Sequence, residues 1–228
     1  MWHPRHGTVA TGNKGVNLNI FMILGDYWHA PGPLEHGIKG ALKELDAVFT
    51  TVIDPADLEL ESLDKYDLVI LSKEGKDGAG KGEKWLPPEG ERTLAAYVEK
   101  GGRLMGFHSG VCTYLEEGPV RGIMRGHFVG HPPDENVTVR PVDPGHPVCA
   151  DIEEFAVFDE HYHLDVNPEE TRVFLESFSD RGDKCIAGWT HKVGKGRFLG
   201  LTPGHTAGVI NHPMMKKLII QSVKWLTK

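Results

Sequence analysis

The chain has 228 residues, 39% hydrophobic and 25% charged, with 25 Lys and Arg against 32 Asp and Glu for a formal net charge of −7. This composition describes an ordinary globular domain and excludes a disordered chain, a collagen-like repeat and a disulfide-rich miniature. The acidic balance argues against a nucleic-acid partner, because phosphate neutralisation needs clustered cations.

Residues 1–16 are polar and glycine-rich with no apolar h-region, and read as a loosely ordered N-terminal extension ahead of one domain over 17–228. The longest apolar run, Ile20 to Leu24, falls far short of the roughly 20 residues that span a bilayer, so a cytoplasmic protein without a membrane partner is expected. Asn19 to Leu24 reads as a strand buried on both faces and ends at Gly25-Asp26. Pro33 opens a helix with Leu34, Ile38, Ala41, Leu42 and Leu45 on one face, and Ala47 to Ile53 gives a second strand. Tyr66 to Ser72 is the third strand; the loop from Lys73 to Pro88 is rich in Gly and Lys and reads as solvated surface. A helix over Glu91 to Lys100 ends at Gly101-Gly102, and Arg103 to Phe107 is a fourth strand. Further strands are expected at Asn136–Pro141, Glu154–Leu164, Arg172–Ser179, Cys185–Lys192 and Gly196–Leu201, with a hairpin turn at Gly194-Lys195-Gly196. A helix from Met214 to Leu226 closes the chain, with Met215, Leu218, Ile219, Val223 and Leu226 inward. The pattern predicts a single α/β domain with a doubly wound, mostly parallel sheet and extra strands in its second half.

In such a sheet ligands bind beyond the carboxyl ends of the strands. Three strand ends deliver histidine there: Gly25-Asp26-Tyr27-Trp28-His29, His108-Ser109-Gly110 and Thr202-Pro203-Gly204-His205-Thr206. Gly106-Phe107-His108-Ser109-Gly110 has the outline of a nucleophile elbow with His108 at its centre, which disfavours covalent acyl transfer. If Glu154–Leu164 is one strand, Ala156, Phe158, Glu160, Tyr162 and Leu164 share an apolar face, and a carboxylate there must be paired, protonated or metal-bound. Asp159, His161 and His163 then lie opposite, with His161 and His163 spaced for two ligands to one metal or for an exposed polar face. Cys112, Cys149 and Cys185 are odd in number and lack CxxC spacing, which supports neither a disulfide framework nor a thiolate zinc site.

Gly106-Phe107-His108-Ser109-Gly110, Gly126-His127-Phe128, His131-Pro132, Gly145-His146-Pro147, Asp159-Glu160-His161-Tyr162, Gly194-Lys195-Gly196-Arg197 and Pro203-Gly204-His205-Thr206, in this order, resemble the ThuA-like family, named for trehalose utilisation. The resemblance implies a class I glutamine amidotransferase-like, flavodoxin-like fold without the amidotransferase cysteine, and a role in sugar metabolism. The expected function is an enzyme acting on a sugar or keto-sugar derivative, with His108, Glu160 and His205 catalytic. Asp26, Trp28, His29, Ser109, Gly110, His127, Tyr162 and Thr206 are expected to bind substrate. A divalent metal such as Zn²⁺ on His161 and His163, a carbohydrate ligand and a homo-oligomer complete the expectation. Its competitors are a non-catalytic sugar-binding domain and a residual amidase using Cys112.

Overall fold

The computed structural model describes residues 17–76 and 84–228, so the expected extension and the middle of the 73–88 loop lie outside it. The elements in chain order are β1 (Leu18–Leu24), α1 (Pro31–Ala41), β2 (Ala47–Val52), β3 (Leu68–Ser72), α2 (Pro88–Glu99) and β4 (Arg103–Phe107). Next come α3 (Pro119–Met124), β5 (Gly126–Gly130), β6 (Glu135–Pro141), β7 (Phe155–Asp159), β8 (His163–Val166) and β9 (Arg172–Ser179). The chain closes with β10 (Lys184–Val193), β11 (Gly196–Leu201), α4 (Ala207–Asn211) and α5 (Pro213–Leu226). Nine strands form one sheet in the order β2-β1-β3-β4-β11-β10-β9-β6-β7, and β5 pairs with β8 in a separate small sheet.

The first five strands of that order run parallel and the rest join antiparallel, which is the mixed architecture the sequence pattern predicts. The near-continuous apolar runs of β1 and β3 explain their central place. Ile20, Met22 and Leu24 face a core shared with α1 and α5, whereas Phe21 and Ile23 face a second core shared with α2 and α3. Helices thus cover both faces of the parallel half. The β10–β11 hairpin turns on Gly194 and Lys195, with Gly194 at φ +56, the left-handed backbone such a two-residue loop requires. All five residues expected on the inner face of the last helix are buried.

Two expectations fail in instructive ways. Glu154–Leu164 is not one strand: the ladder breaks over residues 160–162, β7 belongs to the large sheet and β8 to the small one. The faces are also inverted, since Phe158 is 61% exposed whereas Asp159 is 1% exposed. Edge position explains this: β7 is the last strand of the sheet, so the outer side chains of a strand that reads as apolar stay uncovered. Secondly, Lys73 and Glu74 are buried instead of solvated, because the chain after β3 continues under the loops at the strand ends.

Two buried histidines far from the strand-end loops make the fold acid-sensitive. His146 donates from Nε2 to Thr190 Oγ1 at 3.0 Å and accepts the Val148 N–H at Nδ1, and its pKa falls to about 4 through burial and the nearby Arg172 charge. His191 donates to the Ile123 carbonyl, and burial again lowers its pKa to about 4. Both pKa values lie below the unfolded value near 6.5, so the unfolded state takes up the protons first and stability is lost as pH falls from about 6.5 toward 4. Urea unfolding at pH 5 is expected to show about 2 kcal/mol less stability per histidine than at pH 7. His191→Phe should remove one proton's worth of that slope; an unchanged slope would contradict the assignment.

Candidate functional site

β1 and β3 are adjacent and parallel, but the chain leaves β1 toward β2 on one side and β3 toward β4 on the other. At such a switch point the connecting loops diverge and leave a crevice beyond the carboxyl ends. Leu24 lies opposite Ser72, and Leu201 opposite Phe107, so the loops after β1, β3, β4 and β11 open at one edge.

After β1, Gly25 (φ +85) turns the chain and Asp26 organises the loop. Its Oδ1 accepts the backbone N–H groups of Trp28 and His29 at 3.0 Å each and the His29 Nδ1–H at 2.6 Å, while Oδ2 accepts the Glu74 N–H at 3.1 Å. After β4, His108 is fully buried at φ +47, a left-handed backbone that costs a non-glycine residue free energy and that matches the elbow outline. Its Nδ1 donates to the Thr202 carbonyl at 2.8 Å. Gly110 is needed two residues later because a Cβ there would lie 1.8 Å from the Leu71 carbonyl oxygen. After β11, buried Asp159 accepts the Gly204 and His205 N–H groups at 2.9 and 3.0 Å and so fixes the turn that carries His205.

Glu160, in the break after β7, reaches into the centre of this arrangement. Its Oε2 lies 3.1 Å from His205 Nδ1, 3.3 Å from His108 Nε2 and 3.8 Å from His29 Nε2, and its Oε1 is 3.5 Å from His131 Nε2. The His29 and His108 Nε2 atoms are themselves 3.0 Å apart, and Tyr162 Oη is 3.1 Å from the latter. Since both Nδ1 atoms already donate elsewhere, neutral rings would oppose two bare lone pairs. A cation must sit between them, either a proton or a metal ion.

The charges agree with that requirement. Burial works to raise the Asp26 pKa, but the hydrogen bond and charge of His29 overcome it and hold the carboxyl at about 2. Burial would lower His29, yet its bonds to Asp26 and Glu160 raise it to about 9, so without a metal the gap holds a proton on His29. Glu160 is held far below the usual carboxylate range, its burial outweighed by His108, His205 and His29. One ligand atom from each of His29, His108, Glu160 and His205 lies within 4.8 Å of every other. Ligands at roughly 2.0–2.1 Å in a tetrahedron stand about 3.3 Å apart, so the observed spacings suit a zinc-class ion. The Asp26–His29 pair and the Thr202 carbonyl are the outer partners that metal-bound imidazoles commonly have.

A cavity of 280 Å³ opens beside the cluster, lined by Trp28, His29, Glu74, Ser109, Cys112, Phe128, His131, Glu160 and Tyr162. Burial, then the Asp26 charge, raises the Glu74 carboxyl. A groove of 610 Å³ lies at the opposite, amino-terminal edge of the strands, around Tyr66, Tyr97 and Arg103, but gathers no imidazole. Of the residues expected in the site, His29, His108, Glu160, His205, Asp26, Ser109, Trp28 and Tyr162 come together. His127 does not: it faces a separate depression beside Arg121 and Asp165. Thr206 caps α4 by accepting the Val209 N–H, and Gly110 serves backbone approach. His161 and His163 lie away from the cavity lining, beside Cys185. Sequence reasoning missed Glu74, His131 and the positioning role of Asp159; the available signals were a carboxylate two residues past a buried strand, at Glu74, and the His131-Pro132 motif.

Fold and site together define an α/β protein whose parallel-strand edge carries a histidine–carboxylate cluster. The chain belongs to the ThuA, or trehalose utilisation, family, whose profile matches residues 23–226. No curated protein sequence matches it. Among solved structures it is similar to a ThuA-like protein of Parabacteroides merdae (16% identity, TM-score 0.75, covering 93% of this chain and 91% of that one). It is similar also to a ThuA-like protein of Bacteroides uniformis (17%, TM-score 0.71, 96% and 95%) and to a cytoplasmic protein of Salmonella typhimurium (12%, TM-score 0.67, 92% and 99%). Among the described residues no helix is long and apolar enough to cross a membrane.

Asp159→Ala should leave the buried Gly204 N–H and the part-buried His205 N–H unpaired and cost about 1–4 kcal/mol in urea unfolding, because a fully buried orphaned donor carries a penalty of roughly 1–3 kcal/mol and a part-buried one less. A loss under about 0.5 kcal/mol would mean that the 203–206 turn holds without it.

Proposed function

We propose that this protein is a metal-dependent enzyme acting on a small sugar derivative, with a zinc-class ion held by His29, His108, Glu160 and His205 and with Glu74 carrying the proton. The observation behind the metal is the 3.0 Å approach of two Nε2 atoms whose rings are both already committed at Nδ1. On this reading His108, Glu160 and His205 act as ligands instead of as free acid and base. When bound, such an ion polarises a carbonyl or acidifies a water.

The remaining roles fall to this chain's own groups. Glu74 lines the cavity with its Oε1 unpaired among the described residues and its Oε2 accepting from Thr113 Oγ1 at 3.3 Å, and burial together with the Asp26 charge raises its carboxyl, as suits a group that exchanges a proton. Asp26 and the Thr202 carbonyl fix the orientation of the two rings. Tyr162 and His131 present polar atoms to sugar hydroxyls, and Trp28, 59% exposed at the rim, offers a flat face for a ring. A volume of 280 Å³ is at the low end for small-molecule sites, which favours one enclosed sugar ring with any second ring outside against Trp28. The name of the family, trehalose utilisation, agrees with a sugar substrate. Catalysis by Cys112 is disfavoured: burial pushes its thiol well up, and among the described residues no histidine stands against it as a base.

Protein purified without chelator should contain metal by elemental analysis, and His29→Ala or His205→Ala should lower that content. Full metal content in both variants would sink the ligand set. With a sugar or keto-sugar whose addition raises the melting temperature, Glu74→Gln should keep the shift and lower turnover by about 10²–10⁴-fold. Unchanged turnover would remove Glu74 from the chemistry.

A further inference from the structure

Residues 160 to 163 divide their side chains between two places. Glu160 and Tyr162 line the cavity, whereas His161 and His163 gather with Cys185 at the far end of β10. One ligand atom from each of these three lies within 4.8 Å of the others. His161 is 1% exposed, and its Nε2 lies 3.0 Å from Ser177 Oγ, a residue paired with Cys185 across β9 and β10. Among the described residues its Nδ1 has no hydrogen-bond partner and stands 3.8 Å from Glu135 Oε1, which has none either. Glu135 is 8% exposed and its Oε2 has only an ion pair with Arg181 at 3.0 Å. His163 Nε2 is likewise unpartnered, with Asp183 Oδ2 at 3.9 Å. Buried polar atoms left unpaired are costly, and here several of them, all of kinds that ligate metals, point to one spot.

We propose that His161, His163 and Cys185 form a second divalent-metal site, of the zinc class, that ties the break between β7 and β8 to β10. Glu135, 3.8 Å from His161 Nδ1, stands beside the three and supplies negative charge to the site. The Cys185 thiol gives its proton to solvent as the ion binds, and two imidazoles with one thiolate are a donor set that zinc accepts. The lack of CxxC spacing does not count against this thiolate, because the cysteine and the histidines come from separate elements that only the fold brings together. By fixing His161 and His163 the ion holds Glu160 and Tyr162 in register with the cavity, which makes this a structural site serving the other one. It stands whether or not the first cluster binds metal.

Cobalt separates the two sites, since only a thiolate ligand adds a near-ultraviolet charge-transfer band and the first set contains no sulfur. Metal-free protein, reduced and near neutral pH, is titrated with Co²⁺. The expected result is a thiolate band that grows to the intensity of one cobalt–thiolate bond per chain, is lost in Cys185→Ser, weakened in His163→Gln, and kept in both Cys112→Ser and His29→Ala. Absence of the band in the unsubstituted chain, or its persistence in Cys185→Ser, overturns the second site and leaves the first untouched. Loss of metal from His29→Ala is the separate readout of the first site. Should Cys185→Ser fail to fold, alkylation of Cys185 by iodoacetamide, with peptide mass spectrometry as the readout, settles the matter in the unsubstituted protein. Zinc should slow labelling at least tenfold, and an equal rate with and without zinc overturns the proposal.

Discussion

Three imidazoles and a carboxylate converge on one point, and the surrounding loops are built to hold them there. His29 and His108 meet Nε2 to Nε2 at 3.0 Å, which is stable only with positive charge between them, and Glu160 supplies the counter-charge. Everything nearby commits the rings to that arrangement: Asp26 on one side, the Thr202 carbonyl on the other, and Asp159 holding the turn beneath His205. A left-handed His108 and a glycine pressed against the Leu71 carbonyl are the backbone costs of bringing these groups together.

Much of this was legible in the sequence because a parallel sheet has a simple rule: its ligands meet the residues just past the carboxyl end of each strand. The histidines after Leu24, Phe107 and Leu201 obey it, and they are the residues the fold gathers. Glu160 lies in the cluster, but the single strand over Glu154–Leu164 that singles it out in the sequence does not form. Its neighbours Phe158 and Asp159 are exposed and buried respectively, the reverse of what alternating hydrophobicity suggests, since an edge strand leaves an apolar side chain uncovered while Asp159 is buried to bind two backbone amides. Pattern reading weighs hydrophobicity and has no access to such pairing.

Other residues were illegible for a related reason. Glu74 opens a glycine- and lysine-rich stretch whose composition signals solvent, yet the first two residues after β3 remain under the neighbouring loops. Cys185 is distant in sequence from His161 and His163, and only the β9–β10 ladder together with the break at 160–162 brings them to one place. His127 shows the opposite error: a histidine within a recognisable motif that the pleat of β5 directs away from the cavity.

The small sheet of β5 and β8 shares no ladder with the nine-stranded one, yet Phe128 and Tyr162, at its margin, and His131 beyond it form a wall of the cavity. His29, His108 and His205, by contrast, are rooted in loops of the main sheet. One wall of the cavity thus hangs on the small sheet, while three of the four clustered side chains hang on the large one. Lengthening a turn or changing a side chain of the small sheet would therefore reshape one wall of the cavity while the loops that carry those three imidazoles keep their anchorage in the main sheet.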